Sequence, residues 1–210
     1  MGKLVFVLAS AAGVGATGVG GFLLMRKNNG PKITFGERYK HALLSKTSDL
    51  WATKLLTLKK EAPTHPKLLE SFNKAKETNQ DETATNLLKE GCDLIYQEPV
   101  ENSNYQKDFK NYCSKTNKEA SSKTWNGENK NNNAWDTPLT NLKSHNVSEY
   151  GELNSKLATL KQEIGALTVT TYSDSVREKL KNWCEEIQSN IYEGPESDEF
   201  KQQERYCRKQ

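Results

Sequence analysis

The hydrophobic positions of this chain form one unbroken run followed by a series of periodic stripes. From Leu4 to Met25, 22 residues pass without a charge, opening on Leu4-Val5-Phe6-Val7-Leu8 and closing on Phe22-Leu23-Leu24-Met25 before Arg26-Lys27. At about 1.5 Å per residue a helix of that length spans about 33 Å, enough for a hydrocarbon core of about 30 Å. The run predicts a single-pass anchor within residues 1–27, with Leu4, Phe6, Leu8, Phe22 and Leu24 against membrane lipid. A cleaved signal peptide is the rival reading. It needs roughly 7–15 apolar residues before a small-x-small site, and Ala9-Ser10-Ala11 arrives after only five. Ala12, Ala16 and Gly20 are spaced four apart, as are Gly13, Thr17 and Gly21. That spacing lets two membrane helices approach, or marks no more than a Gly-rich anchor.

Beyond a juxtamembrane segment, 28–47, with a weak helical stretch from Phe35 to Leu44, the stripes take a helical period. Ser48 caps a helix carrying Trp51, Leu55 and Leu58 on one face. Pro66 opens a second with Leu68, Leu69, Phe72 and Ala75. Asp81 opens a third with Ala84, Leu87, Leu88, Cys92, Ile95 and Tyr96 inward, ended by Pro99. Ser103 opens a fourth in which Tyr105, Phe109, Tyr112 and Cys113 share a face. Residues 116–134 are polar and read as a flexible linker, with Trp125 stranded among polar neighbours. After Trp135, Ser148 precedes a near-heptad stripe of Tyr150, Leu153, Leu157, Leu160 and Ile164. Leu167 to Tyr172 reads as a short extended link. Asp174 opens the strongest amphipathic helix, with Val176, Leu180, Trp183, Cys184, Ile187 and Ile191 inward. A charged helix from Asp198 to Cys207 closes the chain.

Much of this is written twice, over repeats at 48–115 and 135–210. Leu58 follows Trp51 by seven residues, as Leu142 follows Trp135. Leu88-Lys89-Glu90-Gly91-Cys92 answers Leu180-Lys181-Asn182-Trp183-Cys184, and Glu98-Pro99 answers Gly194-Pro195. Tyr112-Cys113-Ser114-Lys115 answers Tyr206-Cys207-Arg208-Lys209. Two copies are fewer than a stacked solenoid needs. The expected fold is mainly α: a duplicated helical-hairpin bundle, or two small lobes, behind a transmembrane helix.

The only four cysteines occupy matching places in the two copies. Pairing Cys92 with Cys113 and Cys184 with Cys207 is the one connectivity of three that respects the duplication, and antiparallel neighbouring helices bring such positions within reach. Four buried thiols acting as small apolar residues are the alternative. Zinc is a poor fit, since no Cys-x-x-Cys exists and no His lies near a Cys. Of 30 Lys and Arg, Lys3, Arg26 and Lys27 flank the apolar run; the other 27 equal the 27 Asp and Glu. A balanced body argues against the basic footprint of a nucleic-acid binder, leaving room only for a local patch. Sidedness is in tension: the basic residues after the run favour a cytoplasmic body, while cystines favour an exported one.

No catalytic pattern is present: no Gly-x-Ser-x-Gly, P-loop or dinucleotide fingerprint. His41, His65 and His145 are scattered and read as surface side chains, and no cofactor or metal is called for. Asn146-Val147-Ser148 fits a glycosylation triplet. With its apolar N-terminal segment, Trp51 and Trp135 starts, and Trp183-Cys184 and Tyr206-Cys207 pairs, the chain resembles the expanded paralogous sets of short membrane-anchored proteins of haemotropic mollicutes. That resemblance implies a cell-membrane protein, surface-exposed and antigenically variable, with no activity and no functional residues to carry over. The leading expectation is a non-enzymatic, surface-displayed interaction or antigenic protein, its body extracellular, with an unknown protein partner and an open oligomeric state. A cytoplasm-facing scaffold subunit, and an enzyme or ligand carrier without a recognisable motif, are the alternatives.

Overall fold

The polypeptide enters its first element through a reciprocal cap: the Thr34 amide donates to Glu37 Oε2 (2.8 Å) and the Glu37 amide to Thr34 Oγ1 (3.2 Å). Two orphan donors are satisfied together, and the short α1, Phe35–Arg38, follows. The computed structural model describes residues 32–209. The anchor positions Leu4, Phe6, Leu8, Phe22 and Leu24 lie outside the described residues. Among the described residues no helix is long and apolar enough to cross a membrane, and none forms a named strand.

The first half continues with α2 (Leu50–Leu58), α3 (Pro66–Lys74), α4 (Asp81–Gln97) and α5 (Gln106–Asp108). Pro66 stands at the first position of α3, where its missing N–H removes no helical bond. The 17-residue α4 is the spine, burying Ala84, Leu88, Cys92 and Ile95. α5 runs on as a π-helical turn, Phe109–Cys113, and Cys113 closes onto the spine at Cys92 with a Cα separation of 5.2 Å. The second half comprises α6 (Asp136–Lys143), α7 (Val147–Tyr150), α8 (Ser155–Gly165), α9 (Asp174–Ile187) and α10 (Asp198–Tyr206). Here α9 is the spine, and Cys184 pairs with Cys207 at 5.6 Å. Both separations lie in the range a disulfide accepts. Each half owns a core, one centred on Trp51, Leu88 and Phe109, the other on Trp135, Leu180 and Trp183. The protein is mainly helical with two disulfides, in the pairing the spacing predicted.

The bonding pattern repeats over more of the chain than the sequence motifs do. Thr116 and Glu119 form the same reciprocal pair as Thr34 and Glu37, at 2.8 and 3.3 Å. The Phe35 amide donates to Glu98 O, and the Asn117 amide to Asn190 O; Lys115 N reaches Ala42 O, and Lys209 N reaches Thr124 O. Trp51 Nε1 donates to Ser45 O, and Trp135 Nε1 to Glu128 O. The shared pattern therefore starts near Thr34 and again near Thr116.

This corrects the reading of 116–134 as a flexible linker. The segment is folded down as a strap: Asn117 and Asn126 are buried, and the stranded Trp125 pairs its backbone with Arg208 and takes that guanidinium over its ring at 4.8 Å. Buried amides and backbone bonds hold it, and neither leaves a hydrophobic period. Three smaller expectations change as well. The stretch from Phe35 keeps one helical turn and then bends. The stripe after Ser148 is cut at Gly151, whose φ of 75° is the left-handed conformation glycine tolerates, so α7 and α8 are separate. Leu167 to Tyr172 forms no strand.

The halves meet through polar groups and one apolar plug. Lys54, 3% exposed, donates to Glu119 at 2.8 Å, Arg38 pairs with Glu193 at 2.9 Å, and Ile191 packs against the first core.

Each disulfide closes a loop of just over 20 residues, worth about 3 kcal/mol in the chain-entropy model. Replacing Cys92 and Cys113 together by Ala should lower the melting temperature by about 6–12 °C in calorimetry. An unchanged melting temperature would show that this cystine does not stabilise the first half.

Candidate functional site

The hairpin of α8 and α9 carries a groove between two helices of matching sequence. Two eight-residue stretches build it: Lys156-Leu157-Ala158-Thr159-Leu160-Lys161-Gln162-Glu163 and Lys179-Leu180-Lys181-Asn182-Trp183-Cys184-Glu185-Glu186. They share the pattern Lys-Leu-x-x-Leu/Trp-x-x-Glu. In a helix the Leu at the second position and the Leu or Trp at the fifth fall on one face, which is why Leu157, Leu160, Leu180 and Trp183 are buried while the flanking Lys and Glu stay in water. Asn154 starts α8 by accepting from the Leu157 amide at 3.0 Å.

Between the helices runs a groove of about 470 Å³ lined by Ser155, Lys156, Thr159, Leu160, Glu163, Lys179, Asn182, Trp183 and Glu186. That volume is in the range of small-ligand and side-chain pockets. Leu160 and Trp183, 3% and 2% exposed, form its floor. Lys156 bridges to Glu186 at one end and Lys179 to Glu163 (2.6 Å) at the other. All four side chains are well exposed, so each pair contributes at most about 1 kcal/mol. The Trp183 indole N–H is buried and has no hydrogen-bond partner among the described residues.

One difference between the halves falls at the groove. The residue before the spine cysteine is Gly91 in the first half and Trp183 in the second. A Cβ on Gly91 would stand 2.5 Å from Leu68 Cδ2 and 3.2 Å from Leu68 N, so α3 lies directly on α4. At that place in the second half stands the buried Trp183 indole, on the floor of the groove between α8 and α9.

The chemistry on offer is contact chemistry: an apolar floor, hydroxyl and amide walls, alternating charge at the rim. Thr159 donates its hydroxyl to Ser155 O within its own helix, and the rim lysines are taken up by carboxylates. Among the described residues no group of three or more His, Cys, Asp and Glu could hold a metal ion.

The structure joins the four cysteines in two pairs, each residue fully buried. It keeps the histidines apart and corrects two of them, since His65 and His145 are both buried. His145 Nε2 donates to Gly151 O at 2.9 Å, and Nδ1 lies 2.6 Å from the Tyr206 hydroxyl. Burial pushes the Tyr206 phenol well above its ordinary value. His65 packs edge-on to Tyr105, and its amide and that of Thr64 donate to the buried Asp108 carboxylate. Burial lowers the His65 imidazole, against the pull of Asp108 and Glu98. The groove itself was missed in the sequence, although the repeated Lys-Leu-x-x-Leu/Trp-x-x-Glu octapeptide was there to be read.

Comparison with family models, with curated proteins and with solved structures finds no match.

Two measurements test this description. Gly91→Val should destabilise the first half by about 3 kcal/mol through overpacking against Leu68, read from denaturant unfolding; a stable variant would mean that α3 does not need close approach to α4. For His65 the folded value lies below the unfolded value near 6.5, so the unfolded chain takes up the proton first. Its contribution is complete above about pH 6.5 and is lost as the pH falls below it. Melts between pH 7.5 and 5 should show smaller losses for His65→Gln than for the parent, and equal losses would remove this imidazole as the cause.

Proposed function

We propose that the chain is a membrane-anchored, non-catalytic interaction module displayed on the oxidising side of a membrane. The carrying observation is the pair of fully buried cystines at matching positions of the two halves. Structural disulfides belong to exported proteins, because cytosolic thiol pools keep cysteines reduced. A body with a small core in each half gains from such staples. The charge asymmetry around the apolar run, Arg26, Lys27 and Lys32 after it against Lys3 before it, points the other way. We weigh the cystines above it. The uncharged Leu4–Met25 run supports the anchor, and the resemblance to membrane-anchored mollicute proteins points in the same direction. The groove supports contact as the role, offering shape and alternating charge without a paired nucleophile and base.

The test is an added thiol. Ser189 is exposed in the turn after α9, so Ser189→Cys should react with a membrane-impermeant maleimide on intact cells. The four native cysteines should stay unlabelled until the protein is denatured with reductant. Labelling of position 189 only after lysis, with native cysteines alkylated on denaturation without reductant, would overturn the proposal in favour of a cytoplasm-facing scaffold.

A further inference from the structure

We propose that the α8–α9 face is a self-association surface, made to pair with the same face of a second copy of this chain. The inference stands on the arrangement of four charges and does not depend on which side of a membrane the body occupies. On each helix Lys and Glu are seven residues apart, two turns or about 10.5 Å. The helices are antiparallel, registered by the Lys156–Glu186 pair at one end and the Glu163–Lys179 pair at the other. The four charges therefore stand at the corners of a rectangle with like charges on the diagonals. A half-turn about the normal to the face exchanges Lys156 with Lys179 and Glu163 with Glu186.

Such a rectangle is self-complementary. When an identical face is turned over onto it, about an axis along the helices or across them, every Lys meets a Glu and every Glu a Lys. A two-fold interface demands this property, because one patch must serve as both partners. A surface of a single charge sign would meet repulsion at all four corners. Between the corners Thr159 and Asn182 are exposed and short, leaving room for a second pair of helices above the Leu160–Trp183 floor. The first half lacks the device. Its spine carries Leu87 and Leu94 where α9 carries Lys179 and Glu186, and its helix pair is closed by Gly91.

Exposed ion pairs are individually weak and screened by salt. The association is accordingly modest in solution, salt-sensitive, and favoured where chains are concentrated.

The experiment uses the full chain in detergent micelles, as donor- and acceptor-labelled populations read by energy transfer. The parent should associate at low salt and come apart near ~0.5 M salt. Lys156→Glu with Lys179→Glu makes the face wholly acidic, and Glu163→Lys with Glu186→Lys makes it wholly basic. Each variant alone should lose association by about a hundredfold, and mixing the two should restore it. No transfer by the parent at about 0.1 mM, parent-like transfer by either variant alone, or no recovery on mixing would each overturn the proposal. If a reversed chain does not fold, judged by its circular dichroism, Lys156→Gln with Lys179→Gln takes its place. That chain should associate about tenfold more weakly, and parent-level association would overturn the proposal equally.

Discussion

In each half a cystine joins the spine helix to the last turn of the final helix, and the residues just beyond it pair with a strap that arrives from before the first long helix. Lys115 N reaches Ala42 O at 2.7 Å, and Lys209 N reaches Thr124 O at 2.9 Å. The neighbouring helices depend on this closure. The final helix of each half is short, and α10 is mostly charged or amide-bearing, so apolar burial alone holds it weakly. Tied at Cys113 or Cys207, it carries a tyrosine into the interior, where Tyr112 donates to Glu61 O at 3.0 Å and Tyr206 reaches His145. The cystine positions the tyrosine, and the tyrosine fixes the turn that follows α2 or α6.

The same frame is filled with opposite chemistry in the two halves. In the first, Phe35, Tyr39, Tyr96 and Phe109 form an aromatic cluster, with Phe35 and Phe109 ring centres 4.8 Å apart. At the corresponding places in the second stand Asn117, Ser121, Gln188 and Gln203. There Gln203 donates to Asn117 O at 2.7 Å, Asn117 donates to Glu199 at 2.6 Å, and the buried Arg208 guanidinium reaches Glu204, Lys123 O and Asn117 O. A connected polar network can stand in for an aromatic cluster where its members bond to one another, and here Gln203 Oε1 alone among its side-chain atoms is buried without a partner among the described residues. The strap of the second half is held through this network.

The difference between Gly91 and Trp183 falls at the groove. Gly91 lets α3 lie directly on α4, whereas Trp183 stands on the floor of a groove between α8 and α9 rimmed by alternating charge. The first half has closed helix packing at this place, and the second an open face.

The amino-acid sequence by itself determined the mainly helical class, most helix positions and the pairing of the cysteines. These follow from local signals: periodic apolar faces, Pro66 at a helix start, Pro99 at a helix end, and four cysteines in two matching places. The uncharged Leu4–Met25 run was equally plain as a pattern, and it lies outside the described residues. Only the tertiary structure decided where the shared pattern begins, that 116–134 is a strap, that His65 and His145 are buried, and that α8 and α9 enclose a groove. Each of these depends on polar groups satisfied across long sequence separations, such as Asn117 with Gln203 and Trp125 with Arg208, or on one side chain's volume between two helices. Hydrophobic periodicity is blind to both, because a buried amide scores as surface and a tryptophan on a spine scores as core whether it seals a helix pair or stands on the floor of a groove.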